Sequence, residues 1–153
     1  MDHSYTLIAL LQSTFQGKPW YGNSVLTSLS TVSAMKATVR INKSYNIAEL
    51  VAHMAAWRRY TLAMLTNKYD YSVSPEDNFP EINEITSEKW ENLKTQLNEL
   101  QIKLAEAFEN ALVNLDINAK VPGKSFTWLD LLYGLIHHDV YHIGQINLIQ
   151  KFA

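Results

Sequence analysis

Four stretches of the chain repeat apolar residues at helical spacing, and the segments between them do not. In the first, from His3 to about Gln16, Leu7, Ile8, Leu10, Leu11 and Phe15 gather on one side of a helix, and Gly17-Lys18-Pro19 stops the run. The second opens at Asn46, placed as an N-cap with Glu49 reaching back to it, a capping box with Asn in place of Ser or Thr. It runs to about Asn67, and its inward stripe is Leu50, His53, Trp57, Tyr60 and Met64.

The third, capped by Thr86 or Ser87 and running to about Leu112, carries the stripe Trp90, Leu93, Leu97, Leu100, Leu104 and Phe108. Glu88, Lys89, Lys94, Glu99, Lys103 and Glu106 take its solvent side. The fourth spans Trp128 to Lys151 behind a second capping box, Thr127 with Asp130, and its stripe is Leu131, Leu135, His138, His142, Gln145 and Ile149.

Between the first two helices, Trp20-Tyr21-Gly22 forms an aromatic hinge expected to fill a bundle end rather than line a pocket. Asn23 or Ser24 caps a short helix through Leu29, with another turn around Ser33 to Lys36. Asp70 to Pro80 reads as a loop, and Asn118 to Lys124 as another around Pro122-Gly123. No segment alternates with period two, so the expectation is an all-α protein, a four-helix bundle forming one domain over residues 1–153. Loop lengths permit crossover connections, so periodicity alone leaves the topology open.

Composition narrows the function. At 47% hydrophobic and 18% charged residues the chain can bury a core, which excludes whole-chain disorder. The net charge of −2 comes without any basic run, so nucleic acid is not an expected partner. With no cysteine, a transition-metal site must use His and carboxylates. Met1-Asp2-His3-Ser4-Tyr5 lacks the positive region of a secretory signal, and no apolar run approaches the ~18 residues of a membrane span. The expected location is the cytoplasm, away from membranes.

His138 and His142 lie one helical turn apart, with Cβ atoms roughly 5–6 Å from each other, a spacing at which two imidazoles can share an ion. Both point inward among leucines, and each buried ring nitrogen left unpaired costs on the order of 1–3 kcal/mol, so a metal or other side chains must satisfy them. His53 is a third core-facing histidine on a separate helix. Three neutral imidazoles leave Zn²⁺ one open position and an octahedral Ni²⁺ three. That position can activate a water for hydrolysis or hold a thiol as thiolate, and the residues do not choose between them.

Two further residues are candidates for catalysis. Gln145, on the same stripe, could bond a bound water or substrate, or be an amide facing solvent; Asp139 could hold a ligand imidazole by its second nitrogen, or be a surface acid. Glu49 is spent on capping, while His3, near the terminus, and His137, about 100° around the helix from His138, fall outside the ligand set. Trp57 and Tyr141 belong to packing or pocket walls.

Taken together, His53 within Glu49-Leu-Val-Ala-His53-Met-Ala-Ala-Trp57, the helix opening Thr127-Trp128-Leu129-Asp130-Leu131-Leu132, and His138-Asp-Val-Tyr-His142-Ile-Gly-Gln145 give a chain that resembles the DinB-like (YfiT-like) metal-dependent enzymes over nearly its whole length. The three histidines match that family's ligand pattern, which some relatives have lost in part. The resemblance implies a four-helix bundle of up-down-down-up topology, often a homodimer, holding a divalent zinc or nickel ion through His53, His138 and His142. It further implies a small-molecule substrate, since characterised relatives include thiol-dependent transferases and isomerases that use the low-molecular-weight thiols bacillithiol or mycothiol.

The family reading competes with others. The His138-His142 pair is similar in spacing to the H-E-x-x-H metalloprotease helix, but Asp139 is one methylene shorter than Glu and no strand accompanies it. A di-iron carboxylate site needs Glu three residues before its histidines, and none of the three has one. The remaining alternative is a non-catalytic, dimeric metal-binding or stress-related structural bundle. In either case Tyr133, Ile136 and Val140 are expected to form a homodimer seam.

Overall fold

The computed structural model describes residues 3–153, the side chains of residues 3–5 excepted, so the expectation for His3 lies outside it. Seven helices follow in order: α1 (His3–Gln16), α2 (Val25–Leu29), α3 (Ala34–Ala37), α4 (Ile47–Leu65), α5 (Pro75–Asn78), α6 (Ser87–Leu112) and α7 (Trp128–Gln150). Among the described residues there is no strand, only an isolated bridge between Lys120 and Thr127. No helix there is long and apolar enough to cross a membrane.

The helix starts are set by caps that the sequence announces. Ser24, Ser33, Thr86 and Thr127 each accept from the backbone N–H three residues on, satisfying a donor that the first turn cannot pair internally. At α4, Asn46 Oδ1 accepts from Glu49 N at 2.9 Å while Glu49 Oε2 accepts from Asn46 N at 3.1 Å, the expected box. The same Glu49 also accepts from Arg40 and from the Ile82 backbone N–H, which ties the loop ahead of α6 to the start of α4. The helix stops two residues short of Asn67, whose left-handed φ of 62° breaks the ladder.

Of the four long helices, α4 packs on α6 and α7, and α1 packs on the same two. One core cluster joins Phe15, Leu50, Met54, Trp90, Leu97, Ile143, Ile146 and Ile149. A second joins Leu7, Leu11, Leu104, Phe108, Leu132, Leu135 and Ile136.

Four expectations are corrected. The buried face of α7 is wider than the expected stripe: Leu135, His142 and Ile149 lie in it as expected, joined by Leu132, Ile136, Asp139, Ile143 and Ile146, while Leu131, His138 and Gln145 lie at its half-buried margin. Ile136 is accordingly 5% exposed and packed in the core, and Tyr133 is half-buried, so the seam drawn through them is not a free surface. Asp70–Pro80 holds a helix, α5, with Ser74 accepting from Asp77 N and Pro75 in its first turn, where no N–H is needed. The hinge fills nothing: Trp20 is 95% exposed, and Tyr21 donates its hydroxyl to Thr14 Oγ1.

Candidate metal centre

His53 arrives from the second turn of α4, and His138 and His142 from adjacent turns of α7. His53 and His142 are 6% and 3% exposed, and His138 is half-buried. His138 Nε2 lies 2.8 Å from His53 Nε2 and 3.0 Å from His142 Nε2, and one nitrogen from each ring comes within 4.8 Å of the others. Two nitrogens bound to one ion at about 2.0–2.1 Å stand about 2.9–3.4 Å apart at bond angles of roughly 90° to 110°. Two of the three separations lie near that spacing and the remaining pair lies within 4.8 Å, so the three rings come together closely enough that they could hold one ion.

The outer ring nitrogens decide which form each imidazole takes. His53 Nδ1 donates to the Asn78 carbonyl at 2.6 Å, and a carbonyl only accepts, so the proton sits on Nδ1 and Nε2 keeps its lone pair. His142 Nδ1 likewise donates to Gln145 Oε1 at 2.6 Å, leaving its Nε2 bare. His138 Nε2 thus faces two lone pairs and carries at most one hydrogen, so hydrogen bonding alone leaves one nitrogen unmatched. His138 Nδ1 has no partner among the described residues.

A proton is a poor substitute for a metal here. Burial, helped by the neighbouring imidazoles and by Arg58, drives the His138 pKa down to about 3. Burial also pushes His142 down to about 4 and lowers His53, so all three rings are neutral at pH 7, the form that ligates.

A loop that sequence periodicity leaves featureless supplies half of the support. Asn78, the last residue of α5, holds His53 through its carbonyl and accepts from Trp57 Nε1 through its side chain. Phe79 stacks on the His53 ring with centroids 3.9 Å apart, and Tyr45 stacks on Phe79 at 3.8 Å. The ring of His53 is therefore fixed both in its plane and by its outer nitrogen.

Gln145 is half-buried, and its carbonyl oxygen accepts from His142 Nδ1, so it orients that imidazole from outside the cluster. Asp139 holds no imidazole and is no surface acid: it is fully buried, and both its oxygens accept from Arg58, at 3.0 and 2.6 Å. Arg58 also donates to Gln101 Oε1 and to the Met54 carbonyl, and its guanidinium lies 4.9 Å over the Phe15 ring. Neither Arg58 nor Gln101 stands out by residue type. The available signal is position, with Arg58 in line with Val51, Met54 and Thr61 on α4, and Asp139 at the same place in the stripe of α7. His137 is exposed and stacked on Tyr133, outside the cluster.

A cavity of about 720 Å³ opens beside His138, with Trp57, Tyr60 and Leu135 among its walls. Tyr141 is exposed and lines none of it. No family model, curated protein or solved structure matches the chain, so the site is read from its own geometry.

Proposed function

We propose that the chain is a DinB-like bundle that binds one divalent ion, zinc or nickel, through His53, His138 and His142. In this reading it acts on a small molecule as a thiol S-transferase or a hydrolase. What carries the reading is the nitrogen accounting: lone pairs from His53 and His142 meet at His138 Nε2, where one hydrogen cannot serve both and a divalent cation can accept from all three. Such an ion, when bound, supplies Lewis acidity and favours the deprotonated form of a water or thiol beside it.

The chain's own residues do the remaining work. Asn78 and Phe79 fix His53, Gln145 orients His142, and the cavity gives a small molecule a way to the His138 side. The up-down-down-up topology belongs to the same proposal and is supported by the two core clusters. Phe15 and Ile143–Ile149, late in α1 and α7, share a cluster with Leu50 and Trp90, early in α4 and α6. Leu7 and Leu132, early in their helices, share the other with Leu104 and Phe108, late in α6. A cytoplasmic homodimer working with a low-molecular-weight thiol completes the proposal.

One observation favours the non-catalytic alternative. Glu49 and Asp139, the buried carboxylates, are both held by arginines, so neither is free to act as a general base. Elemental analysis of protein purified without added metal separates the readings at the first step. Near-stoichiometric zinc or nickel that disappears in His142→Ala supports the site; metal-free protein whose His142→Ala variant unfolds no more easily than wild type overturns it. Incubating metal-loaded protein with an electrophile and a panel of small thiols then divides the chemistry. Thiol-dependent product identifies a transferase, thiol-independent hydrolysis a hydrolase, and no turnover the non-catalytic bundle.

A further inference from the structure

Four aromatic side chains line the cavity beside His138: Trp57 and Tyr60 from α4, Tyr71 from the loop ahead of α5, and Phe126 ahead of α7. Its volume of about 720 Å³ falls within the ~300–1,000 Å³ of small-molecule sites. Trp57 is held in place by its Nε1–H bond to Asn78, and burial keeps the Tyr60 phenol protonated. Flat rings of this kind favour an aromatic ligand, stacked or edge-on.

Two charged side chains line the cavity, Lys124 and Asp130. Asp130 is exposed and already occupied, its Oδ2 accepting from the Thr127 backbone N–H at 2.9 Å and from the Thr127 hydroxyl at 2.7 Å. Lys124 differs. It is half-buried, its ammonium sits 6.0 Å from the centre of the Tyr60 ring, and among the described residues it pairs with no carboxylate. Its backbone is pinned: Lys124 N donates to Val121 O, Val121 N donates to Phe126 O, and Gly123 takes the φ of +72° that the tight turn requires. A partly desolvated ammonium on a rigid turn, without a counter-ion, gains most from an anion arriving in the cavity.

We propose that this cavity binds a small aromatic molecule carrying a carboxylate, its ring against Trp57, Tyr60, Tyr71 and Phe126, its carboxylate on Lys124 and its reacting end toward His138. The reacting end rests on the metal reading above; the aromatic and Lys124 contacts do not.

The test uses 4-(2-naphthyl)butanoate with the alcohol and the amine of the same skeleton, followed by fluorescence titration of full-length protein. It is run on zinc-loaded protein and on protein stripped with a chelator. The stripped protein matters because a carboxylate can also bind zinc, and there only Lys124 can prefer the acid. The expected result is that the acid binds about tenfold more tightly than the alcohol in stripped protein, with the amine weakest. Lys124→Met, which keeps the apolar stem, should bring acid and alcohol within about twofold of each other while leaving the alcohol unchanged. Trp57→Ala, which takes away one aromatic wall, should weaken all three probes about three- to tenfold and so locate the probe.

No preference for the acid, a preference that survives Lys124→Met, binding that ignores Trp57, or no binding of any of the three overturns the inference. Failure to load zinc overturns the metal reading alone, since the stripped-protein arm needs no metal.

Discussion

Asp139 follows His138 in the chain, yet its carboxylate closes on Arg58, with Oδ1 accepting at 3.0 Å and Oδ2 at 2.6 Å inside a fully buried pair. The pair joins α4 to α7 at the level of the histidines. A buried ion pair is costly to break, because removing one member leaves the other charged and dry. Arg58→Ala or Asp139→Ala should therefore each lose about 3–5 kcal/mol in urea denaturation. Arg58→Met combined with Asp139→Leu should regain most of that, with about 1–3 kcal/mol still missing because Gln101 loses its donor. Single variants within about 1 kcal/mol of wild type would show that the pair is not buried as described.

Gln145 separates metal affinity from stability. Its Oε1 orients His142 from outside the cluster, a contact whose loss typically weakens metal binding about 10–100-fold. Gln145→Leu should show that loss in a competition titration against a chromogenic chelator, while its unfolding free energy stays within about 0.5 kcal/mol of wild type. Unchanged affinity would remove Gln145 from the site.

Phe79 makes the same separation for His53. The stack at 3.9 Å is the kind of aromatic contact that contributes about 0.5–1.5 kcal/mol beyond the area it buries. Phe79→Ala should raise the dissociation constant for zinc about three- to tenfold. Phe79→Tyr, which keeps the ring, should restore it. A tyrosine variant as weak as the alanine one would mean that stacking is not what matters.

Acid should loosen the metal-free protein in a window set by the histidines. Burial lowers the pKa of His138 to about 3 and of His142 to about 4, and also lowers that of His53. The unfolded chain takes up protons near pH ~6.5 while the folded chain does not, so it binds more protons at every pH between these values. Stability is then fully present above about pH 6.5 and declines as the pH falls toward 4. The urea midpoint should drop between pH 7 and pH 5, and drop less in His138→Ala. A midpoint flat across that range would contradict three neutral, buried rings.

Much of this architecture is written locally. The boxes Asn46–Glu49 and Thr127–Asp130, the cap at Thr86, and the stripe Trp90–Leu97–Leu104–Phe108 depend on residues within a turn or two of each other, so the order of the chain suffices to read them. The one-turn spacing of His138 and His142 is equally local. Periodicity also shows that His53 lies on a largely apolar face, though not what it meets there.

The structure decides what lies opposite. Whether His53 reaches His138, 85 positions away, depends on how α4 and α7 are rotated and paired, and that follows from the packing of the whole core. The buried face of α7 keeps Leu135, His142 and Ile149 of the expected stripe but extends to Leu132, Ile136 and Asp139 and leaves Leu131 and Gln145 at its margin. That small difference makes Asp139 a partner for Arg58 instead of an imidazole, and buries Ile136. The Asn78 carbonyl that holds His53 is a backbone group which every residue but its conformation leaves unmarked, and only the folded loop brings it there. Contacts within one helix are fixed by spacing, whereas contacts between helices are fixed by the sum of many weak packing interactions that no single position encodes.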